Sequence, residues 1–198
     1  MVRWKPGHKD STRTRILETA GRLFRERGFD GIGVSDLMKS AGLTAGGFYS
    51  HFESKERLLS TVVAAGFERT LGSLFAGLDG VEGPAFVREL TRRYLSRQHR
   101  DHPETGCVLP ALAADVSRQG AEPRRELETY LVELAALIQT KVPRSARSGL
   151  SGKELALALT ALCVGGIVLA RAVDDRALSD SILRACRRLA DAELGADE

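Results

Sequence analysis

Apolar residues recur at three- and four-residue spacing along almost the whole chain, and no run alternates with period two long enough to argue a strand. From Thr12 to Arg27, Ile16, Leu17, Ala20, Leu23 and Phe24 form one face, Arg15, Glu18, Arg22, Arg25 and Glu26 fall outside it, and Gly28 supplies a stop. A short helix is predicted from about Val34 to Ser40, closed by Gly42. Thr44 can cap the next, which ends near Phe52. Ser54 caps a longer fourth helix, where Leu59, Val63, Phe67, Leu71 and Leu74 keep the stripe to about Gly77. Gly80 to Pro84 is a break, and Pro84 suits the first turn of a helix with Phe86, Val87, Leu90 and Tyr94 inside. His99 to Gly106 reads as a loop, Cys107 to Gln119 as a short helix, and Pro123 opens a helix carrying Leu127, Leu131, Leu134, Ala135 and Ile138. After a polar linker from Lys141 to Gly149, Ser151-Gly-Lys-Glu154 is a capping-box pattern for an apolar helix to about Ala172. The last helix runs from Asp180 to Leu194. The expected fold is all-α, about nine helices: a helix-turn-helix head over residues 1–60 and a helical bundle over 61–198.

Composition fits an ordinary globular protein: of 198 residues, 43% are hydrophobic and 28% charged. The net charge of +3 matters less than its placement. Residues 1–60 carry 11 Lys/Arg against 7 Asp/Glu, and the remainder 18 against 19, which suits a phosphate-binding head on a near-neutral body. A solvated basic face is the plainer explanation of the same charges. No apolar stretch near Met1 resembles a signal peptide, so a cytoplasmic location is expected. Leu155 to Ala170 is apolar for 16 residues, short of the ~20 needed to span a bilayer, and reads as a buried helix; no membrane partner is expected. Cys107, Cys163 and Cys186 are widely spaced, with no disulfide framework or metal motif.

A helix, a short helix, a glycine turn, another short helix and a long connecting helix make a helix-turn-helix, built to lay one helix in the DNA major groove. Its residues are Ala20, Leu23, Phe24, Gly28 and Phe29, then Leu37, Ala41-Gly-Leu-Thr44, Gly47-Phe-Tyr-Ser-His-Phe52 and Ser54-Lys-Glu-Arg-Leu-Leu59. In these the chain resembles the TetR/AcrR family of bacterial transcriptional repressors, strongly over residues 12–60 and in topology beyond them.

Physical reasons accompany the motif. Gly42 lets the turn close. Phe48 and Phe52, four apart, pin the short helix onto the head's core. Tyr49 points off that core toward phosphate, Lys55 can do the same, and Thr44 can place a hydroxyl and backbone N–H groups against the DNA backbone. For His51 the resemblance implies DNA contact, while a local capping role fits as well. Two departures stand out. Gly33 occupies the place where the family has Thr or Ser, leaving Ser35 or a backbone N–H to stand in. Ala45, Gly46 and Gly47 leave little to hydrogen-bond to base edges, so reading can fall to a thymine methyl against Ala45, close backbone approach and DNA shape. Arg3 and Lys5 are candidates for a minor-groove arm.

The resemblance further implies a homodimer that binds a pseudo-palindrome in double-stranded DNA, with the last two helices forming a four-helix bundle across the two-fold. Ala161, Gly165 and Gly166 permit close helix approach, and Leu169, Leu183 and Cys186 share the candidate interface; intrachain burial of these helices is the alternative. It also implies a small-molecule inducer that enters the body, tilts the fourth helix and spreads the heads. Thr105-Gly-Cys107-Val-Leu-Pro-Ala-Leu-Ala-Ala-Asp-Val116 looks like the Gly-Cys segment of a subgroup that includes sensors of electrophiles and oxidants. Cys107 at a helix start, with His99, Arg100 and His102 close in sequence, can gain thiolate character there, or it can be an inert buried thiol. Tyr94, Tyr130, Leu112 and Leu134 can line a pocket or simply pack.

Rival classes remain weaker. Gly31-Ile-Gly33 is no phosphate loop, and no nucleophile–base pair has a supporting motif, so neither an enzyme nor a cofactor is expected. His99, His102 and Cys107 lack a fourth metal ligand. A helical ligand- or partner-binding protein that has lost DNA binding is the alternative that the sparse Ala45-Gly-Gly47 surface keeps open.

Overall fold

The computed structural model describes residues 8–142 and 147–194, which are helical without strands. In order come α1 (His8–Arg27), α2 (Val34–Ser40), a 3-10 helix (Ala45–Ser50), α3 (Lys55–Leu74), α4 (Gly83–Tyr94), α5 (Arg97–Asp101), α6 (Leu109–Ser117), α7 (Ala121–Gln139), α8 (Gly152–Ala172) and α9 (Arg176–Leu194). The expected all-α architecture holds among the described residues.

Helix ends follow local chemistry. The Ser54 hydroxyl accepts the Arg57 N–H at 3.0 Å, starting α3. Ser151 and Glu154 form the expected capping box on α8. Gly42 sits at φ +67°, where the Gly42 N–H donates to Lys39 O and the Leu43 N–H to Met38 O, closing α2 in a Schellman turn.

Three elements depart from expectation. The helix across Ala45-Gly-Gly47 is 3-10 rather than α: it is six residues long, contains two glycines, and the Thr44 side chain gives it no cap bond. The loop expected from His99 to Gly106 loses its first residues to α5, which begins at Arg97 and is started by the Ser96 hydroxyl accepting the His99 N–H at 3.1 Å. The last helix begins at Arg176, four residues before Asp180, with the Asp175 carboxylate accepting the Ala177 N–H at 2.8 Å.

One apolar core runs through the molecule. In the head, Ile16, Leu23, Phe24, Phe29, Leu37, Phe48 and Phe52 are buried, with Phe24 edge-on to Phe29 and Phe48 stacked on Phe52. Each such phenylalanine contributes about 1.5–3 kcal/mol by burial. In the body, α3 packs along α7, α8 lies against α7 and α9, and α4 packs on α9. Because α3 carries Leu58, Leu59, Val62 and Val63 into the head's core and then runs on along α7, it couples the two halves mechanically. The boundary expected at residue 60 falls inside this helix.

α8 spans 21 residues with a mean hydropathy of 2.1 over its most apolar window, long and apolar enough by those measures to cross a membrane. Here it is a core helix: Leu155, Leu159, Cys163 and Ile167 are buried inside the body. Its opposite side is open, with Leu157, Val168 and Leu169 exposed.

Candidate DNA-reading surface and effector cavity

The turn and the 3-10 helix present an outward face. Ser35, Thr44, Ala45, Gly46 and Tyr49 are exposed, while Leu37, Met38 and Phe48 beneath them are buried. Tyr49 is 69% exposed and lies edge-on to Phe48, so its ring is steadied at one side while its hydroxyl faces solvent. Gly47 is half-buried over Met38. His51 is half-buried at the end of the 3-10 helix, its N–H donating to Phe48 O at 2.9 Å. Gly33 precedes α2 in an extended conformation and gives it no side-chain cap. Lys39, which sequence reasoning passed over, is exposed on the same helix as Ser35, four residues on. That spacing is the signal that could have found it. Arg3 and Lys5 lie outside the described residues.

Lys55 departs from its expected place. Its ammonium turns inward, donating to Phe29 O at 2.5 Å and lying 4.1 Å from the centre of the Phe29 ring. Burial lowers its pKa from the ordinary lysine value. A carbonyl and an aromatic face within reach satisfy the charge locally, so Lys55 ties the start of α3 to the loop after α1.

Between α3 and the α4–α6 region opens a cleft of about 420 Å³, with Arg69 and Ser73 on one wall and Arg92, Tyr94, His99 and Cys107 among its other lining residues. His99 has both ring nitrogens engaged: Nδ1 meets Tyr94 O at 2.8 Å, and the Cys107 N–H donates to Nε2 at 3.2 Å. A carbonyl only accepts and an amide N–H only donates, so the ring is the neutral Nδ1–H tautomer. Burial lowers its pKa in agreement. A Cβ at Gly106 would stand 2.6 Å from this ring, which explains the glycine before Cys107. With both nitrogens used, His99 has no lone pair left for a metal.

The Cys107 thiol is buried and 3.2 Å from the Tyr130 hydroxyl. Of its basic sequence neighbours, His99 meets the Cys107 backbone and the other two are engaged elsewhere. Arg100 is committed to Asp101, Asp180 and Ser179, and His102 is exposed beside Glu104. Cys163 is a core thiol, its pKa pushed up to about 12 by burial. Leu134 lines a narrow apolar space behind the cleft, whereas Leu112 packs in the core without lining either.

A second link between body and head escaped the sequence. Asp115, on α6 and 8% exposed, accepts the Phe29 N–H at 2.9 Å, just past the end of α1. A buried acid inside the apolar run Ala114-Asp-Val116 was the available signal.

The expected helix–helix interface divides. Ala161 and Leu169 are exposed, and Gly165 has open space around it. Gly166 and Leu183 turn into the chain's own core instead, and Cys186 packs there: a Cβ at Gly166 would meet Leu95 at 2.8 Å and Cys186 Sγ at 3.0 Å. Close approach is needed at Gly166, but by α9 and Leu95 of the same chain.

The family model described as bacterial regulatory proteins, tetR family, matches residues 16–62. The transcriptional regulator UidR of Escherichia coli K12 is 30% identical over 102 residues, which is 52% of this chain and 50% of that protein, so the match spans about half its length. The transcriptional regulator LmrA of Bacillus subtilis 168 is 31% identical over 166 residues, covering 80% of this chain and 85% of LmrA. Among solved structures, a TetR-family regulator from Cytophaga hutchinsonii aligns with a TM-score of 0.76 at 20% identity, over 98% of this chain and 100% of that one. These relatives are transcriptional regulators rather than enzymes. With a helix-turn-helix at residues 34–50 inside the matched region and an alignment running on through the helical body, the chain belongs to the TetR family of bacterial regulatory proteins.

Proposed function

We propose that the protein is a cytoplasmic, homodimeric repressor that binds a pseudo-palindromic operator and is released by an inducer entering the cleft. The observation that carries this reading is the double duty of α3, whose Leu58 and Leu59 lie in the head's core while Arg69, Thr70 and Leu74 line the cavities. A change in the cleft's width that shifts α3 would be carried directly to the head it seats. Thr44, Ala45, Gly46, Gly47 and Tyr49 would face DNA, with Ser35 and Lys39 at the adjoining phosphates and His51 at the rim. Lys55 would hold the head rigid rather than touch DNA.

The experiment is a gel shift on DNA flanking the gene, repeated over a salt series. Affinity should fall steeply with salt as phosphate-bound counterions are released. Tyr49→Phe removes one hydroxyl per head and should weaken binding to all sequences alike, by about fivefold per lost hydrogen bond. Absent or salt-independent binding would favour a ligand-binding protein without DNA function, a reading the Ala45-Gly-Gly47 surface supports.

Cys107 is proposed as the attack site of an electrophilic or oxidising inducer. The thiol lines the cleft floor beside two phenols, and an adduct there would force Tyr130 and α3 apart. Cys107→Ser should keep DNA binding and lose release by a quinone or hypochlorite. If the serine variant still releases DNA on treatment, the sensor role is wrong.

A further inference from the structure

The cleft has an electrostatic character that the sequence pattern concealed. Arg69, Arg92 and Arg93 line it together with His99 and His102, and among the described residues no carboxylate does. Arg92 and Arg93 share a single acid, Glu89, outside the lining. Arg69 has no ion pair among the described residues. Beneath it lies Arg25, 6% exposed, whose Nη1 donates to Gly21 O while its Nε has no hydrogen-bond partner among the described residues. Burial, with the charge of Arg69 adding to it, lowers Arg25 to about 10. Arg92 and Arg93 share one carboxylate and Arg93 also donates to Leu74 O and Ala76 O, while Arg69 and Arg25 add positive charge without an acid of their own among the described residues, so the cleft keeps a surplus positive potential that an incoming anion would offset.

The inner end of the cleft has the opposite character. Tyr94 is 6% exposed, and among the described residues its hydroxyl makes no hydrogen bond of normal geometry, with the Cys107 thiol as its polar neighbour, an uncommon state for a buried phenol. Tyr94, Thr70, Leu74 and Cys107 line both the cleft and a second space behind it, whose far wall is apolar, including Leu134 and Leu159. That space is almost shut, with about 20 Å³ free, on the order of one water molecule. An apolar group entering it must push its lining apart, and Leu74 and Thr70 of α3 are part of that lining.

We propose that the cleft takes an amphiphilic organic anion: its charged head among Arg69, Arg92 and Arg93, an oxygen at the joint accepting from the Tyr94 hydroxyl, and its apolar tail pushed into the closed space behind. This inference rests on the reading of the cleft as the inducer site and names the chemical class it admits. A carboxylate and a phosphate-bearing ester offer the same chemistry to the arginines. Neutral molecules of equal hydrophobicity lack the charge, and cations are repelled.

Isothermal titration of the full chain with octanoate, octanoyl-coenzyme A, octanol and octylamine tests the proposal. One or both anions should bind, at least about tenfold more tightly than octanol or octylamine, with affinity falling as salt rises. Binding of octanoate alone assigns a carboxylate head, and of the thioester alone a phosphate-bearing one. Arg69→Ala, at an exposed position, should keep the thermal midpoint and lose about tenfold in anion affinity, and Arg69→Lys should recover part of it. Tyr94→Phe should weaken the anion by a further separable step. Equal binding of octanol and octanoate, no anion binding, or an Arg69→Ala variant with undiminished anion affinity would overturn the proposal. The gel shift separates the two ideas. Anion binding by a protein that shifts no DNA would sink the regulatory reading alone. Operator release by a quinone from a protein that binds neither anion would sink this proposal alone.

Discussion

Replacing Leu169 and Leu189 together with glutamate is expected to give a folded monomer that binds operator DNA about 10²–10⁴-fold more weakly than the parent. Leu169 is 58% and Leu189 54% exposed, so little burial is lost within the chain and the monomer's stability should move by no more than about 0.5 kcal/mol. Of seven large exposed apolar residues among those described, five (Leu157, Val168, Leu169, Leu178 and Leu189) lie on α8 and α9. Along α8 the spacing of Leu157, Ala161, Gly165, Val168 and Ala172 makes one stripe, with Leu169, four residues after Gly165, along its edge. Leu178, Ile182, Ala185 and Leu189 make another along α9. Two adjacent helices with matching apolar stripes are the geometry of half a four-helix bundle, and a stripe of that length left open is an aggregation liability in a monomer. A second copy across a two-fold would cover both at once. Four buried carboxylates at its centre would prevent that. Sedimentation at micromolar concentration and the gel shift read the two effects separately. A double variant that stays dimeric would place the interface elsewhere, and a monomer with undiminished operator affinity would remove the need for two heads.

The helices that were easiest to read are those whose burial repeats with the helical period. α1, α3, α7 and α8 announce themselves through stripes of Leu, Ile, Val and Phe, and the Ser54 and Ser151 caps are encoded within four residues. What escaped was set by contacts between distant segments. Lys55 looked like a free cation in sequence because the carbonyl and ring that claim it belong to Phe29, 26 residues earlier. Gly166 resembled an interface glycine because its small size is visible, whereas the identity of its neighbours, Leu95 and Cys186, depends on how α8 crosses the chain. The basic residues near Cys107 were chosen by proximity along the chain. In space, Arg100 turns to Asp180 and His102 to solvent, and the cleft's charge comes from Arg69, Arg92 and Arg93 on α3 and α4. The 3-10 geometry at Ala45–Ser50 is not what the helical reading from Thr44 to Phe52 expects; two glycines within six residues are the signal that points to it.

The second large effect concerns Gly66, in the middle of α3. On an exposed helix surface, glycine to alanine stabilises by about 1 kcal/mol, because the unfolded chain loses freedom and the helix gains propensity. Gly66→Ala should do the reverse. A Cβ built there stands 2.4 Å from Val108 Cγ1 and 3.0 Å from Cγ2, and Val108 is 1% exposed, so it has no vacant space to rotate into. Overpacking of this kind costs about 1–3 kcal/mol, which exceeds the propensity gain and makes the variant net destabilised or, at best, neutral. The strain should also act on function, because Val108 directly follows Cys107 and opens α6, whose Asp115 holds the Phe29 N–H at the head. Forcing α3 away from Val108 imitates a filled cleft, so operator affinity should fall without any inducer. Val108→Ala supplies the compensating change. It removes both methyl carbons and leaves the Val108 Cβ at 3.3 Å, which a small shift accommodates. In that background Gly66→Ala should turn stabilising by about 1 kcal/mol, a coupling of sign that a double-mutant cycle on chemical denaturation measures directly. Operator affinity should recover in parallel. If Gly66→Ala stabilises the parent chain, the close packing of α3 on Val108 is not present in solution. If it destabilises the fold yet leaves operator binding intact, the contact holds the body together but does not transmit movement to the head.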